Sequence, residues 1–540
     1  MKKFKYLVFA GLGMFFYLAE AQTSSYVDDA LLFGQSNAIT GSTARMQGLA
    51  GTQVSLGADM SSAGSNPAGL GMYNRSVVSF SPSLNFNTSD ATYNGQLSSS
   101  YKNNFNFANL GIVFNSGGSR FAEEDFKGGS FAITLQRSNS FNQNFSYAGR
   151  NRDNSITDAF IEEAESLGGI SITNPEYPAD YAGPEHHFLI EDAEGYTYYN
   201  YNDGSIEIYP AGIRGSYTSL VGATSGFTPY QSELVKRYGD NYSLNFAWGG
   251  NYKDRVYFGG GLAYQNIDYS QERYFDEGSY QDSDGKIDNL VQRIRFDDIE
   301  RVSGRGIDFT GGVIVRPIDF MTIGLAYKSP TFYSLDREFE YRLRTDFGAG
   351  AFYYDESSGT DSLYYELSSY DTRNPDWGPV PPILTGSYNL KTAPKLTAGT
   401  TVFVGKRGFI SGDVEFVDYQ SMKVKSNDVV ADGDDNSVIS SVYNSVINYR
   451  LGVEYRIENL RLRAGYAFYA DPFKSSSIDV TQSALTFGVG YRSQDFFADV
   501  ALVNQNQNEV YAPYNVSSNQ PIVNVDHNNT TISATFGFNF

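Results

Sequence analysis

From about residue 76 to the C-terminus the chain alternates apolar residues with small or polar ones at a period of two, the signature of strands with two unlike faces. Val313 and Val315 lead across a turn to Met321, Ile323, Leu325 and Tyr327, with Thr322, Gly324, Ala326 and Lys328 between the latter. Leu451, Val453, Tyr455 and Ile457 alternate with Arg450, Gly452, Glu454 and Arg456. Leu462, Ala464, Tyr466 and Phe468 alternate with Arg463, Gly465 and Ala467, and Leu485, Phe487, Val489 and Tyr491 with Thr486, Gly488, Gly490 and Arg492. Many runs last ten residues or more. That length crosses a bilayer at a tilt, whereas sandwich strands typically stop after about 5 to 6 residues. The pattern predicts an all-β fold, a transmembrane antiparallel β-barrel with its apolar faces toward lipid. Val313, Val315, Ile323, Leu325, Leu451, Val453, Phe487, Val489, Phe536 and Phe538 are expected on that lipid face.

Fourteen strands are expected, at 76–90, 104–116, 128–148, 240–250, 255–275, 291–316, 320–346, 391–405, 408–426, 438–457, 460–472, 476–493, 495–512 and 525–540. Short connections such as Asn251 to Asp254, Arg316 to Asp319, Lys406 to Gly408, Glu458-Asn459 and Ser493-Gln494 alternate with long polar loops near 150–240, 279–290, 348–390 and 427–440. Short turns on one side and long loops on the other are the rule for outer-membrane barrels. The last strand ends on Phe536, Phe538 and Phe540, as a strand that closes a barrel should. Residues 22–75 lack the alternation and are rich in Gly, Ala and Ser. They are expected to fold as a compact plug with a helical turn or two inside the barrel of residues 76–540.

The N-terminus changes the picture by setting the compartment. Lys2, Lys3 and Lys5 precede an apolar run from Tyr6 to Leu18, and Ala19-Glu20-Ala21 supplies a small-x-small site. Residues 1–21 read as a cleaved signal peptide, because the run is shorter than the roughly 20 residues of a spanning helix. Cysteine is absent, which excludes disulfides, thiolate metal sites and thiol nucleophiles. The net charge of −21 excludes a nucleic-acid partner, which needs a basic surface. The 42 Tyr and 39 Phe against 2 Trp, with 54 Gly, suit a β-rich membrane protein with polar loops.

Asn66-Pro67-Ala68-Gly69-Leu70, just ahead of the first strand, resembles the NPA-containing hatch of the FadL/TodX-type transporters of hydrocarbons and long-chain fatty acids. Gly41 to Gly48 and Ser61 to Ser65 are similar to that family's N-terminal region, and Asp413 to Tyr419 and Arg463 to Tyr466 to its strands. Fourteen is also the family's strand number. The resemblance implies passive transport of a hydrophobic small molecule across the outer membrane by a monomer in outer-membrane lipid. Ligand would be caught by outer loops, held by basic side chains at its carboxylate, and released sideways through a gap at a kink in the third strand. Asn66, Pro67, Ala68 and Gly69 match the hatch motif. The kink has no counterpart in sequence, since Gly128-Gly129 opens the third strand and no Pro or Gly interrupts it before Gly149.

Lys328, Arg450, Arg456, Arg461 and Arg463 fall on the lumen parity of their strands. Lys328, Arg450, Arg456 and Arg463 are the candidates for holding a ligand carboxylate, which is costly to desolvate without a partner. Against that stands pairing with Glu454, Asp308, Asp413, Glu415 and Asp499 on the same parity, the commoner fate of a lumen cation. His186-His187 in the longest loop raise a haem-receptor reading, although adjacent loop histidines are usually just solvated. Asp282 to Asp288 is a broken match to a calcium loop, with Tyr280 and Val291 where carboxylates belong. Ile156 to Leu167 reads as a short amphipathic helix. No catalytic motif surrounds any of the three histidines, so no enzyme and no cofactor are expected. The competing function is a barrel that serves as a structural or adaptor subunit of secretion machinery.

Overall fold

The computed structural model describes residues 26–35, 39–116, 125–159, 162, 197–199, 206–208, 228–281, 291–347, 352–355, 363–366, 369–373, 380, 382–426, 429–475 and 480–540. Its frame is one closed antiparallel sheet of fourteen strands. These are β1 (Val77–Tyr93), β2 (Gln96–Asn115), β3 in two pieces (Phe126–Ser140 and Gln143–Arg150), β4 (Thr228–Tyr252), β5 (Val256–Gln281) and β6 (Val291–Ile318). They continue as β7 (Met321–Lys328 and Phe332–Phe347), β8 (Leu384–Lys391 and Lys395–Phe403), β9 (Gly408–Asp418 and Lys423–Ser426) and β10 (Ser445–Ile457). The last four are β11 (Leu460–Tyr469), β12 (Gln482–Arg492), β13 (Phe496–Tyr511) and β14 (Val523–Asn539). β14 pairs back onto β1 from Val77↔Asn539 to Tyr93↔Val523, which closes the ring. Pro82 of β1, which has no N–H to give a ladder, sits at a bulge formed by the extra residue Ala108 of β2.

The period-two pattern sorts the side chains as the sequence implies. Val315, Ile323, Leu325, Leu451, Val453, Phe487, Val489, Phe536 and Phe538 are exposed on the outer wall, and Val313 is half-exposed among them. Such a continuous apolar outer band is a lipid-facing surface. Among the described residues no helix is long and apolar enough to cross a membrane. At one end every connection but 116–125 is short, and at the other every connection but the one between β1 and β2 is long.

Several strands run further than their apolar pattern. β1 and β2 meet at a two-residue hairpin, Asn94-Gly95, whose positive φ values of 47° and 79° fit the turn that matches strand twist. Both strands run past their expected bounds of 90 and 104, through a stretch where Ser and Asn take the place of apolar residues. β4 begins at Thr228 and β8 at Leu384, in what read as the loops 150–240 and 348–390. The β4 extension carries a cross-strand ion pair on its outer face, Lys236 with Glu272 of β5 (3.7 Å), in place of apolar side chains. The same ends of β6 and β7 carry Arg295 with Asp346 (2.6 Å) and Arg344 with Asp297 (2.5 Å). The expected strand 438–457 begins instead at Ser445, and Val429–Val442 forms a helix. Ile439 is buried and Val438 and Val442 pack beside it, a spacing that suits a helix face. Asn436 donates to the carbonyl of Val424 and accepts from its N–H (2.8 and 3.0 Å), standing in for a strand partner at β9.

Ahead of the barrel lie α1 (Tyr26–Gly34), α2 (Ala44–Gln47) and two 3₁₀ turns, Met60–Gly64 and Pro67–Met72. Residues 1–25, with the expected signal peptide, lie outside the described residues. The described part of this segment rests on inward-facing side chains of the strands. Ala44 N–H donates to Thr535 Oγ1 (2.7 Å) and Ala50 N–H to Thr486 Oγ1 (3.1 Å). Gln53 and Val54 N–H donate to Asp413 Oδ2 (3.0 and 3.3 Å), and Thr322 Oγ1 donates to Ser55 O (2.8 Å). These bonds satisfy backbone groups that neither helix nor sheet supplies with partners.

Candidate functional site

Asn66, Pro67, Ala68 and Gly69 are buried at the start of the second 3₁₀ turn. Asn66 is its N-cap. The side-chain oxygen accepts from Ala68 N–H (3.2 Å) and the amide nitrogen donates to Val54 O (2.6 Å), tying two parts of the segment together. Pro67 occupies the first position of the turn, where a missing N–H costs nothing. The wall is shaped to this turn. A Cβ on Gly312 of β6 would overlap Asn66 Oδ1, and one on Gly259 of β5 would press on the backbone of Pro67. The small residues on the inner face thus give this segment room to touch the wall.

The four basic candidates are all ion-paired. Lys328 Nζ lies 3.3 Å from Asp308, and Arg450 lies 3.3 Å from Glu415 and 3.9 Å from Asp413. Arg456 meets Glu454 at 2.7 Å, while Arg463 meets Glu454 at 2.8 Å and Asp499 at 2.7 Å. Lys328 and Arg450 come together with Lys395 around a cavity of about 100 Å³ beside Gln53 and Val54. Arg456 and Arg463 do not join them. Arg461 donates to the carbonyls of Glu458 and Leu460 at a turn.

A larger cavity of about 470 Å³ lies beyond α1. Val27, Leu31 and Leu32 of α1, Phe141, Tyr269, Tyr443, Phe473 and Val503 give it an apolar lining. Four arginines also line it, on stretches that read as loop or were not singled out in the sequence. Arg237 grips Glu509 through two hydrogen bonds (2.7 and 2.8 Å), and Arg273 lies 3.0 Å from Asp298 and 3.3 Å from Glu233. Arg337 pairs with Glu300 and lies 3.8 Å from Asp29, and Arg137 lies 3.6 Å from Asp240. Four guanidinium groups thus face six carboxyl groups. His527, on the same wall, has both ring nitrogens engaged, Nδ1 with Ser89 Oγ and Nε2 with Glu509 Oε2, each at 2.9 Å. Glu509 is already committed to Arg237, so this row reads as a satisfied polar network on the inner wall.

The third strand leaves the wall. Its first piece pairs with β2 only from Asn115↔Ser130 to Asn109↔Gln136. Its second piece pairs with β4, from Gln143↔Arg237 to Arg150↔Tyr230. Among the described residues no ladder joins β2 residues 96–108 to β3. Instead the second piece leans inward, where Asn87 Nδ2 of β1 donates to Asn142 O (2.7 Å). Phe145 and Tyr147 are buried against Tyr511 of β13 and Tyr93 of β1. Side chains bridge the resulting seam. Ser100 and Ser146 hydroxyls meet at 3.0 Å, and Lys102 Nζ donates to Arg237 O (2.7 Å) over the Tyr238 ring. Among the described residues Asn104 Oδ1, Asn144 Oδ1 and both polar atoms of Asn106 find no hydrogen-bond partner.

The break has a cause that the third strand's own sequence does not show. Ser138 is an extra residue in a bulge between Arg137 and Asn139, and the glycine lies on the neighbouring strand. Gly239 of β4 has φ +105°, and its carbonyl accepts from Phe141 N–H (2.9 Å) and Asn142 Nδ2 (3.0 Å). The same break touches α1. The rings of Phe33, Phe141 and Tyr269 pack edge to face at 5.2 to 5.7 Å, and Asn139 Nδ2 reaches the carbonyls of Leu32 and Gln35 (3.4 and 3.5 Å).

His186-His187 and Asp282 to Asp288 lie outside the described residues. The expected helix at Ile156 does begin there, with Ile156 and Ala159 buried, but most of its length lies outside them too. Ile156 N–H and Ser155 Oγ donate to Glu277, pinning this loop to the barrel mouth.

No family model matches the chain, and no curated protein matches it by sequence. Among solved structures it is similar to a Pseudomonas aeruginosa FadL homologue, with 12% identity and a TM-score of 0.53 over 92% of this chain and 98% of that one. The toluene transporter TodX of P. putida matches with 12% identity and a TM-score of 0.48 over 93% of this chain and 99% of that one. The toluene transporter TbuX of Ralstonia pickettii matches with 13% identity and a TM-score of 0.43 over 93% and 99%. Strand number, closure and the likeness to the P. aeruginosa protein agree that this chain has the fold of the FadL-type barrels.

Proposed function

We propose that the chain carries hydrophobic small molecules across the outer membrane by passive diffusion. In this reading residues 22–75 act as a hatch, the cavity beyond α1 holds the ligand, and the seam beside β3 lets it leave sideways into the bilayer. The observation that carries the reading is the departure of β3 from the wall beside a part-apolar cavity. A barrel that served only as a wall would gain backbone hydrogen bonds by pairing β2 with β3 throughout. Because Phe141 and Asn139 at the break hold α1, a ligand that shifts α1 in the cavity also loosens the seam. Long-chain fatty acids were the first candidates on sequence. The cavity favours neutral ligands instead, because its four arginines are outnumbered by their carboxyl partners and a ligand carboxylate would have to displace one. The amide groups of Asn104, Asn106 and Asn144 at the seam likewise offer hydrogen bonds without net charge.

Uptake by proteoliposomes of a radiolabelled monoaromatic hydrocarbon and of a radiolabelled long-chain fatty acid tests this. The expected result is protein-dependent entry of the hydrocarbon and weaker entry of the acid. Entry of neither refutes the transport reading, and then the adaptor reading takes its place.

A further inference from the structure

The outer wall carries a basic patch that transport does not use. At the long-loop edge of the apolar band, four neighbouring strands align their outward residues in two rows. Register places Arg305 of β6 beside Ser334 of β7, Ser334 beside Asn389 of β8, and Asn389 beside Lys425 of β9. One step nearer the band, Ile307 stands beside Phe332, Phe332 beside Lys391, and Lys391 beside Lys423. All eight side chains are exposed.

Four cations therefore occupy about 14 Å of wall, taking about 4.8 Å between strands. None forms an ion pair with a described residue, although the chain has 61 acidic residues against 40 basic ones. The contrast with the rest of the extended strands is sharp, since there Arg293, Arg295, Arg342 and Arg344 each pair with an aspartate. Acidic groups resume one row farther from the band, where Asp336 accepts from Ser387 Oγ (2.6 Å). Toward the band the outward side chains on these strands are mainly apolar, including Phe309, Tyr327 and Leu396. The patch thus has an apolar floor in Ile307 and Phe332, and cations at the depth where lipid headgroups sit.

We propose that this patch binds a phosphorylated lipid of the leaflet at the long-loop end. The acyl chains lie on Ile307 and Phe332, and the phosphates lie between Arg305, Lys391, Lys423 and Lys425. A phosphate has oxygen acceptors for several such donors, and Ser334 and Asn389 add neutral hydrogen bonds between the strands. Exposed lysines and an arginine that pair with no described acid, on a protein this acidic, fit an anionic partner by charge complementarity, and their height on the wall makes that partner a lipid headgroup.

Native mass spectrometry of the full barrel in detergent tests the proposal. The probe is a bisphosphorylated, multiply acylated glucosamine disaccharide, compared with its dephosphorylated form. The variant carries Arg305→Gln, Lys391→Gln, Lys423→Gln and Lys425→Gln together, all on the outer surface and outside every described ion pair. A second variant with the three lysines changed to Arg keeps the charge. The parent and the charge-keeping variant should retain the bisphosphorylated lipid at least about tenfold better than the glutamine variant. The dephosphorylated lipid should not distinguish the three. Equal retention by parent and glutamine variant overturns the proposal, provided both show the same heat-modifiable gel mobility. Displacement of the lipid by millimolar inorganic phosphate also overturns it, because the patch would then be a site for a free anion.

Discussion

Replacing Asn66 with Ala should release the proposed hatch without weakening the barrel. Asn66 is fully buried, and its side chain makes two hydrogen bonds, one to Val54 O and one from Ala68 N–H. Alanine leaves a buried carbonyl and a buried N–H without partners, each at a cost of about 1–3 kcal/mol. Some of that is recovered by local relaxation, so a loss of about 2–4 kcal/mol in the docking of residues 53–72 is expected. A factor of ten in population corresponds to about 1.4 kcal/mol, so opening of this segment should become about thirty-fold to several-hundred-fold more frequent. Asn66, Val54 and Ala68 all lie outside the strands. Hydrogen exchange with mass-spectrometric readout on the folded barrel measures this, because it reports local opening segment by segment. Peptides covering 53–72 should exchange faster by that factor, and peptides from β10 to β12 should not change. If the strands accelerate as much as the hatch, or if neither changes, the idea that Asn66 holds a separately opening plug is wrong.

The lipid face gives a second prediction: Leu325→Arg and Val453→Arg, both exposed mid-band, should each cost about 2–4 kcal/mol of barrel stability in urea titrations in bilayers. Parent-like stability in both would put the inward–outward assignment off by one residue. A third concerns pH. Burial pushes the Asp29 carboxyl of α1 up to about 6, with Arg337 opposing the shift. The folded value lies above the ordinary value of 3.8, so the docked form of α1 takes up a proton more readily than the free one. Docking of α1 should therefore strengthen as pH falls from 7 through 6 toward 4, and amide exchange at 27–34, corrected for intrinsic rates, should slow over that window. Asp29→Asn should abolish the dependence.

The fold was legible because lipid imposes one rule on every strand. Wherever the outward residues are apolar, as from Met321 to Tyr327 or Leu485 to Tyr491, the sequence reading and the observed strands agree. It failed where strands rise above the band, since charged side chains are then tolerated outside and Thr228 to Gly239 looks like loop. The helix at Val429–Val442 was missed for a similar reason, its few apolar residues serving either period. At the site, the acids opposite Lys328, Arg450, Arg456 and Arg463 could be named from parity alone. The break in β3 could not, because its glycine is Gly239 on another strand, about a hundred residues downstream.

The seam is the part of the account most open to direct test. Ser100 on β2 and Ser146 on β3 have hydroxyl oxygens 3.0 Å apart across it, close enough for a disulfide between cysteines at those positions. The chain has no cysteine of its own, so Ser100→Cys with Ser146→Cys gives a single possible bridge. The decisive measurement is hydrocarbon uptake by proteoliposomes holding this variant, oxidised and then reduced, with each single-cysteine variant as control. The account predicts that oxidation sharply lowers uptake, that reduction restores it, and that the single variants behave as the parent. Full uptake by fully cross-linked protein would contradict the lateral route.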